Sequence, residues 1–118
     1  MLARANRITI GDDYRNVVRR GVRSTGPHTV SYVRRTDADT PPRFGFIVAK
    51  TVGKAVTRNT IRRRLKAIAH ELVPLTAPGT DVVIRALPGI VDVSWPELQD
   101  EISTAMTRKR STSSGRPR

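Results

Sequence analysis

Residues 43–74 read RFGFIVAKTVGKAVTRNTIRRRLKAIAHELVP, and within this stretch the chain changes its period. Over residues 43–50, Phe44, Phe46 and Val48 alternate with Gly45, Ile47 and Ala49, the two-residue repeat of a strand whose faces are both at least partly covered. From about residue 56 to residue 73 the apolar positions are Ile61, Leu65, Ile68 and Leu72, a narrow stripe on an α-helix. Pro74 and Pro78 end that helix.

Working outward, residues 81–87 are rich in β-branched side chains and predict a further strand, closed by Pro88-Gly89. Upstream, residues 28–35 alternate, with Val30 and Tyr32 on one face and Ser31 and Val33 on the other, before turn chemistry over residues 36–42. Near the start, Asp12 or Asp13 is expected to cap a short helix carrying Tyr14, Val17 and Val18 on one side, with Arg19 and Arg20 in its last turn and Gly21 as its stop. A last helix begins at the Ser94-x-x-Glu97 capping box, tolerates Pro96 in its first turn and turns Trp95, Leu98, Ile102, Ala105 and Met106 inward. The order helix, strand, strand, helix, strand, helix predicts an α/β two-layer sandwich, a small mixed sheet packed with helices. One domain is expected over residues 1–106, followed at 107–118 by a disordered basic tail with nothing apolar to bury.

The 118 residues carry 22 Lys and Arg against 10 Asp and Glu, a net charge of +12, so a polyanion is the expected partner. Acidic residues are absent between Thr40 and His70, where Arg43, Lys50, Lys54, Arg58, Arg62, Arg63, Arg64 and Lys66 all fall. On a helical wheel Arg58, Asn59, Arg62, Arg63 and Lys66 form an arc beside and opposite the apolar stripe. Like charges at this spacing repel by a few tenths of a kcal/mol per pair, roughly, and a merely solvated face would mix its signs. Phosphate suits such an arc, since each neutralised phosphate releases counterions and arginine presents a planar fork to its oxygens.

Other classes recede. Without cysteine there is no disulfide framework or thiolate chemistry, and His28 and His70 stand alone, outside any triad or metal-ligand spacing. The Asp12-Asp13 pair suits a helix start better than a metal. No apolar run approaches a membrane span, and with one Trp and two Phe a membrane-surface helix is not favoured, so a soluble cytoplasmic protein is expected.

The segment from Lys50 to Lys66 resembles the signature of the bacterial ribonuclease P protein family, Lys-x-x-Gly-x-Ala-Val-x-Arg-Asn-Arg-x-(Lys/Arg)-Arg, which in that family follows a Gly-x-x-(Val/Ile)-(Ala/Ser)-Lys strand. Gly45-Phe-Ile-Val-Ala-Lys50 matches the strand. The resemblance runs from Asn6-Arg7 and Asp13-Tyr14, through Tyr32, to Val82-Val-Ile-Arg-Ala-Leu-Pro. It departs at Thr60, where the family usually has Arg, and at Val18, where the family commonly has a second aromatic on the first helix.

The resemblance implies a left-handed β-α-β crossover, against the usual hand. It implies a protein subunit that helps a catalytic RNA remove the 5′ leader of precursor tRNA, by binding the leader and stabilising the RNA, with no catalytic residue of its own. Lys50, Lys54, Arg58, Asn59, Arg62, Arg63 and Lys66 would contact ribonuclease P RNA. Tyr14, Val18, Tyr32 and Phe46 would line a cleft for the leader, in keeping with the use of aromatic faces to hold single-stranded RNA. No cofactor is expected on the protein alone. Magnesium ions would be required by the RNA, and one protein would join one RNA. A basic ribosomal or chaperone-like RNA-binding protein is the rival that charge alone permits. A helix-turn-helix DNA reader is disfavoured because strands flank the basic helix, and an intrinsic nuclease would need an acid cluster.

Overall fold

The computed structural model describes residues 2–107. Along the chain these form α1 (Gly11–Arg20), β1 (Val22–Thr25), β2 (Thr29–Arg35), β3 (Arg43–Ile47), α2 (Ala55–Leu72), β4 (Thr80–Ala86) and α3 (Trp95–Thr107). Short 3-10 turns lie at Arg4–Asn6, Lys50–Val52, Val73–Leu75 and Ile90–Asp92. The strands make one mixed sheet in the order β1-β2-β4-β3. β2 pairs antiparallel with both β1 and β4, whereas β3 runs parallel to β4, so α2 is the crossover between two adjacent parallel strands.

Alternation along the strands divides the core. Val33, Phe44, Val82, Ile84 and Ala86 face the stripe Ile61, Leu65, Ile68 and Leu72 of α2 together with Leu98 and Ile102 of α3. Burying each such side chain is worth roughly 1.5–3 kcal/mol, an order of magnitude more than each like-charge repulsion on the helix's other side, so packing decides that α2 forms. On the opposite sheet face Val30, Tyr32 and Val83 meet Ile8 and Val17, with Tyr14, Val18 and Ile47 half-buried around them. The sandwich is thus sheet against α2 and α3, and α1 covers part of the second face.

Several local expectations change. β1 was not anticipated: it is short, and its one buried side chain is the polar Ser24. β3 stops at Ile47, and Lys50 opens a 3-10 turn instead of ending the strand. Neither aspartate caps α1: Ile10 occupies the N-cap without a side-chain bond, and Asp12 and Asp13 lie inside the first turn, where they still favour the helix dipole. In α3 Ser94 Oγ accepts the Glu97 N–H at 3.4 Å as the capping box requires, but Trp95 is 36% exposed and not inward. Thr107 closes α3 instead of opening the tail, and the remainder of the tail expectation falls on residues 108–118, outside the described residues. Among the described residues no helix is long and apolar enough to cross a membrane.

Candidate nucleic-acid interface

The turn into α2 is built by Gly53, whose backbone φ of 156° and whose closeness to Thr57 leave no room for a side chain: a Cβ would sit 2.9 Å from Thr57 Cγ2. Lys54 then takes the N-cap of α2 with no side-chain cap bond, and no acid lies in the first turn. The free N–H groups of this helix end and the side chains of Lys50, Lys54 and Arg58 therefore offer positive potential at one place. Lys50, Lys54, Asn59 and Arg63 are exposed, and Arg58, Arg62 and Lys66 are half-buried along the same helix. Arg62 donates to Asn59 Oδ1 at 3.2 Å and Arg63 to Thr60 Oγ1 at 3.3 Å, so their guanidinium groups are steadied by neutral partners.

Among the described residues, ion pairs join Arg15 to Asp12, His28 to Glu101, and Arg43 to Asp13 and Asp81. None engages a cation of α2. Arg58 Nε is buried without a hydrogen-bond partner among these residues. Arg64 is the exception on the helix, since it points away to donate to the Val93 carbonyl at 3.2 Å and so ties α2 to the loop before α3.

The second region lies where α1 leaves the sheet uncovered. β-Ladder register places Val30, Arg85 and Ile47 side by side across β2, β4 and β3. Arg85, exposed on a central strand, and half-buried Ile47 join Tyr14, Arg15, Val18 and Arg19 of α1 around an open groove of about 510 Å³. A smaller recess of about 250 Å³ on the other side of Tyr14 is lined by Arg7, Ile8, Thr9, Phe44, Phe46, Arg62 and Lys66. Tyr14 is common to both. Its ring lies against Gly45, and its hydroxyl accepts the Phe46 N–H at 3.2 Å.

Of the residues expected to form the cleft, Tyr14 and Val18 line the groove. Tyr32 is buried, 7% exposed, in the core beneath α1 beside Val17 and Val83. Phe46 packs toward the α2 side and lines the recess beside Arg62 and Lys66, one strand edge away from the groove. Sequence reading missed Arg15, Arg19, Ile47 and Arg85. Arg85 carries the available signal, a lone cation inside the apolar run 82–87, whose neighbours Ile84 and Ala86 face the opposite way.

Two further clusters are structural. Burial alone would push the Glu101 carboxyl upward, but hydrogen bonds from Thr29 Oγ1 at 2.6 Å, the His28 ring at 2.9 Å and the His28 N–H at 3.0 Å leave it below the usual carboxylate range. The paired hydrogen bonds to Asp81 hold Arg43 still more firmly protonated, against the cost of its burial and with Asp13 adding to them.

A sheet and helices that leave one helix face cationic define a small basic α/β protein built to meet a polyanion. A family model described as Ribonuclease P matches residues 2–110. The ribonuclease P protein component of Clavibacter michiganensis is 54% identical over 109 residues, covering 92% of this chain and 96% of that relative. The chain belongs to the ribonuclease P family as its protein component, a subunit of the endoribonuclease that acts in tRNA processing. The corresponding component from Beutenbergia cavernae is 41% identical over 107 residues, 91% of this chain and 90% of that one. In fold, the chain is similar to the ribonuclease P protein of Staphylococcus aureus, with a TM-score of 0.74, 22% identity and coverage of 87% and 94% of the two chains. The Thermotoga maritima ribonuclease P protein gives a TM-score of 0.76 at 19% identity, covering 88% of this chain and 97% of that one. Membership makes ribonuclease P RNA the partner.

Proposed function

We propose that this protein grips ribonuclease P RNA with the cationic side of α2 and holds the single-stranded 5′ leader of precursor tRNA in the groove between α1 and the sheet. The observation that carries the reading is the distribution of ion pairs: among the described residues, none of the ion pairs engages a cation of α2, so those cations keep their charge for an external partner. Lys50, Lys54, Arg58, Asn59, Arg62, Arg63 and Lys66 form the RNA-facing set. Tyr14 and Val18 form the leader-facing set, backed by buried Tyr32 and flanked by Phe46, and Arg15, Arg19 and Arg85 supply the phosphate contacts that stacking alone lacks.

In this reading the protein contributes substrate affinity and screens repulsion between two polyanions, one protein to one RNA, in the cytoplasm. No cofactor resides on the protein, and magnesium is held by RNA phosphates. The test is cleavage of a precursor tRNA with a defined leader by the cognate RNA at low magnesium, with and without protein. Stimulation that needs the RNA and is absent with protein alone supports the reading. Tight RNA binding without stimulation would make this a general RNA-coating protein.

A further inference from the structure

α1 meets the edge strand β3 through two consecutive residues. Asp13 accepts a hydrogen bond from Arg43 Nη1 at 3.2 Å, and Tyr14 lies against Gly45 and accepts the Phe46 N–H. Arg43 is itself immobilised, for its Nε and Nη2 donate to the two carboxylate oxygens of Asp81 at 3.0 and 2.8 Å. This bidentate fork is strong and directional, and the parallel register that sets Arg43 opposite Asp81 aligns it. The remaining hold on α1 is apolar, through Val17 and Val18, and apolar contact does not fix the pitch of a helix. β3 then leads through the Lys50–Val52 turn directly into α2.

We infer that the Asp13–Arg43–Asp81 bridge is a positioning device for substrate: it sets the pitch of α1 on β3, and so the distance from Tyr14 and Val18 to Arg85 across the groove. The three bridge residues line neither the groove nor the recess and act through Tyr14. Because β3 continues into α2, the same bridge also fixes the groove relative to the cationic helix. A site that must hold one strand of RNA at a set offset from a second RNA surface loses affinity when its wall shifts by about an ångström. The inference rests on the leader-binding reading above.

The test uses the holoenzyme reconstituted from full-length protein and its RNA, with precursor tRNAs carrying either a long leader or a single leader nucleotide. Asp13→Asn is expected to raise KM several-fold for the long-leader substrate, with kcat, the short-leader KM and affinity for the catalytic RNA unchanged. Asp13→Glu, whose carboxylate still reaches Arg43, should recover most of the loss. Tyr14→Ala is the reference for the groove itself. If Tyr14→Ala weakens long-leader binding and Asp13→Asn does not, the bridge has no positioning role and the leader reading stands. If neither variant affects leader dependence, the leader reading falls and takes the bridge with it. Equal loss on both substrates, or lost affinity for the RNA, would mark Asp13 as a general stability residue and overturn the inference.

Discussion

Gly45 has no side chain because Tyr14 occupies the space: a Cβ there would lie 2.5 Å from Tyr14 Cε1. Gly45→Ala must therefore push the Tyr14 ring off β3, at a cost of about 1–3 kcal/mol for overpacking, read as a lower denaturation midpoint together with weaker leader dependence. Glu101 makes a second prediction. Its carboxyl titrates below the usual range when folded, so its contribution to stability is present above the ordinary carboxylate pKa and is lost as pH falls through the folded value. Urea midpoints should fall as the pH drops below the ordinary carboxylate range, and Glu101→Gln should flatten that dependence while costing about 1–3 kcal/mol near neutrality. An unchanged acid limb in the variant would show that other carboxylates govern it. Neither residue's role was legible in the sequence, where Gly45 was one position of an alternating strand and Glu101 one polar position of the last helix. Both roles come from contacts between distant segments, Gly45 with Tyr14 and Glu101 with His28, which no local pattern encodes.

At the scale of the element, α2 was the most legible part, because its apolar stripe and cationic arc are both periodic and both survive in the fold. Arg58→Ala combined with Arg62→Ala should weaken binding to ribonuclease P RNA and flatten log K against log salt by roughly one to two units, since two phosphate neutralisations are removed. An unaltered salt slope would mean that these arginines make no phosphate contact. Arg64→Ala should instead lower the denaturation midpoint with little change in the slope, because Arg64 serves the Val93 carbonyl. β1 escaped notice for the opposite reason: an edge strand of Val22–Thr25 with a single buried side chain, Ser24, has neither the length nor the apolar alternation that marks a strand. The groove was half legible. Tyr14 and Val18 were visible on a helix, whereas Arg85 and Ile47 become its floor only through the register of three strands.

Across the whole molecule, a charge of +12 on 118 residues works against compaction, and the cations of α2 have no acid to relieve them among the described residues. Phosphate or sulfate should raise the melting temperature relative to chloride at matched ionic strength by binding the folded form preferentially. A melting temperature indifferent to the anion would argue that the cationic surface is too diffuse to hold one. The strand edge at β3 carries a last consequence. The Ile8 N–H donates to the Phe44 carbonyl at 3.0 Å, and Arg7 bridges Phe44 in parallel fashion, so the first few residues lie along the outer margin of the sheet. That margin is thereby closed to other chains. Trimming the protein to begin at Gly11 would unmask the backbone of Phe44, its carbonyl left without the Ile8 N–H, at an open strand edge, an invitation to intermolecular strand addition. The leading peptide is thus a built-in guard against self-association, and its loss should show as oligomers in sedimentation before any change in helix content.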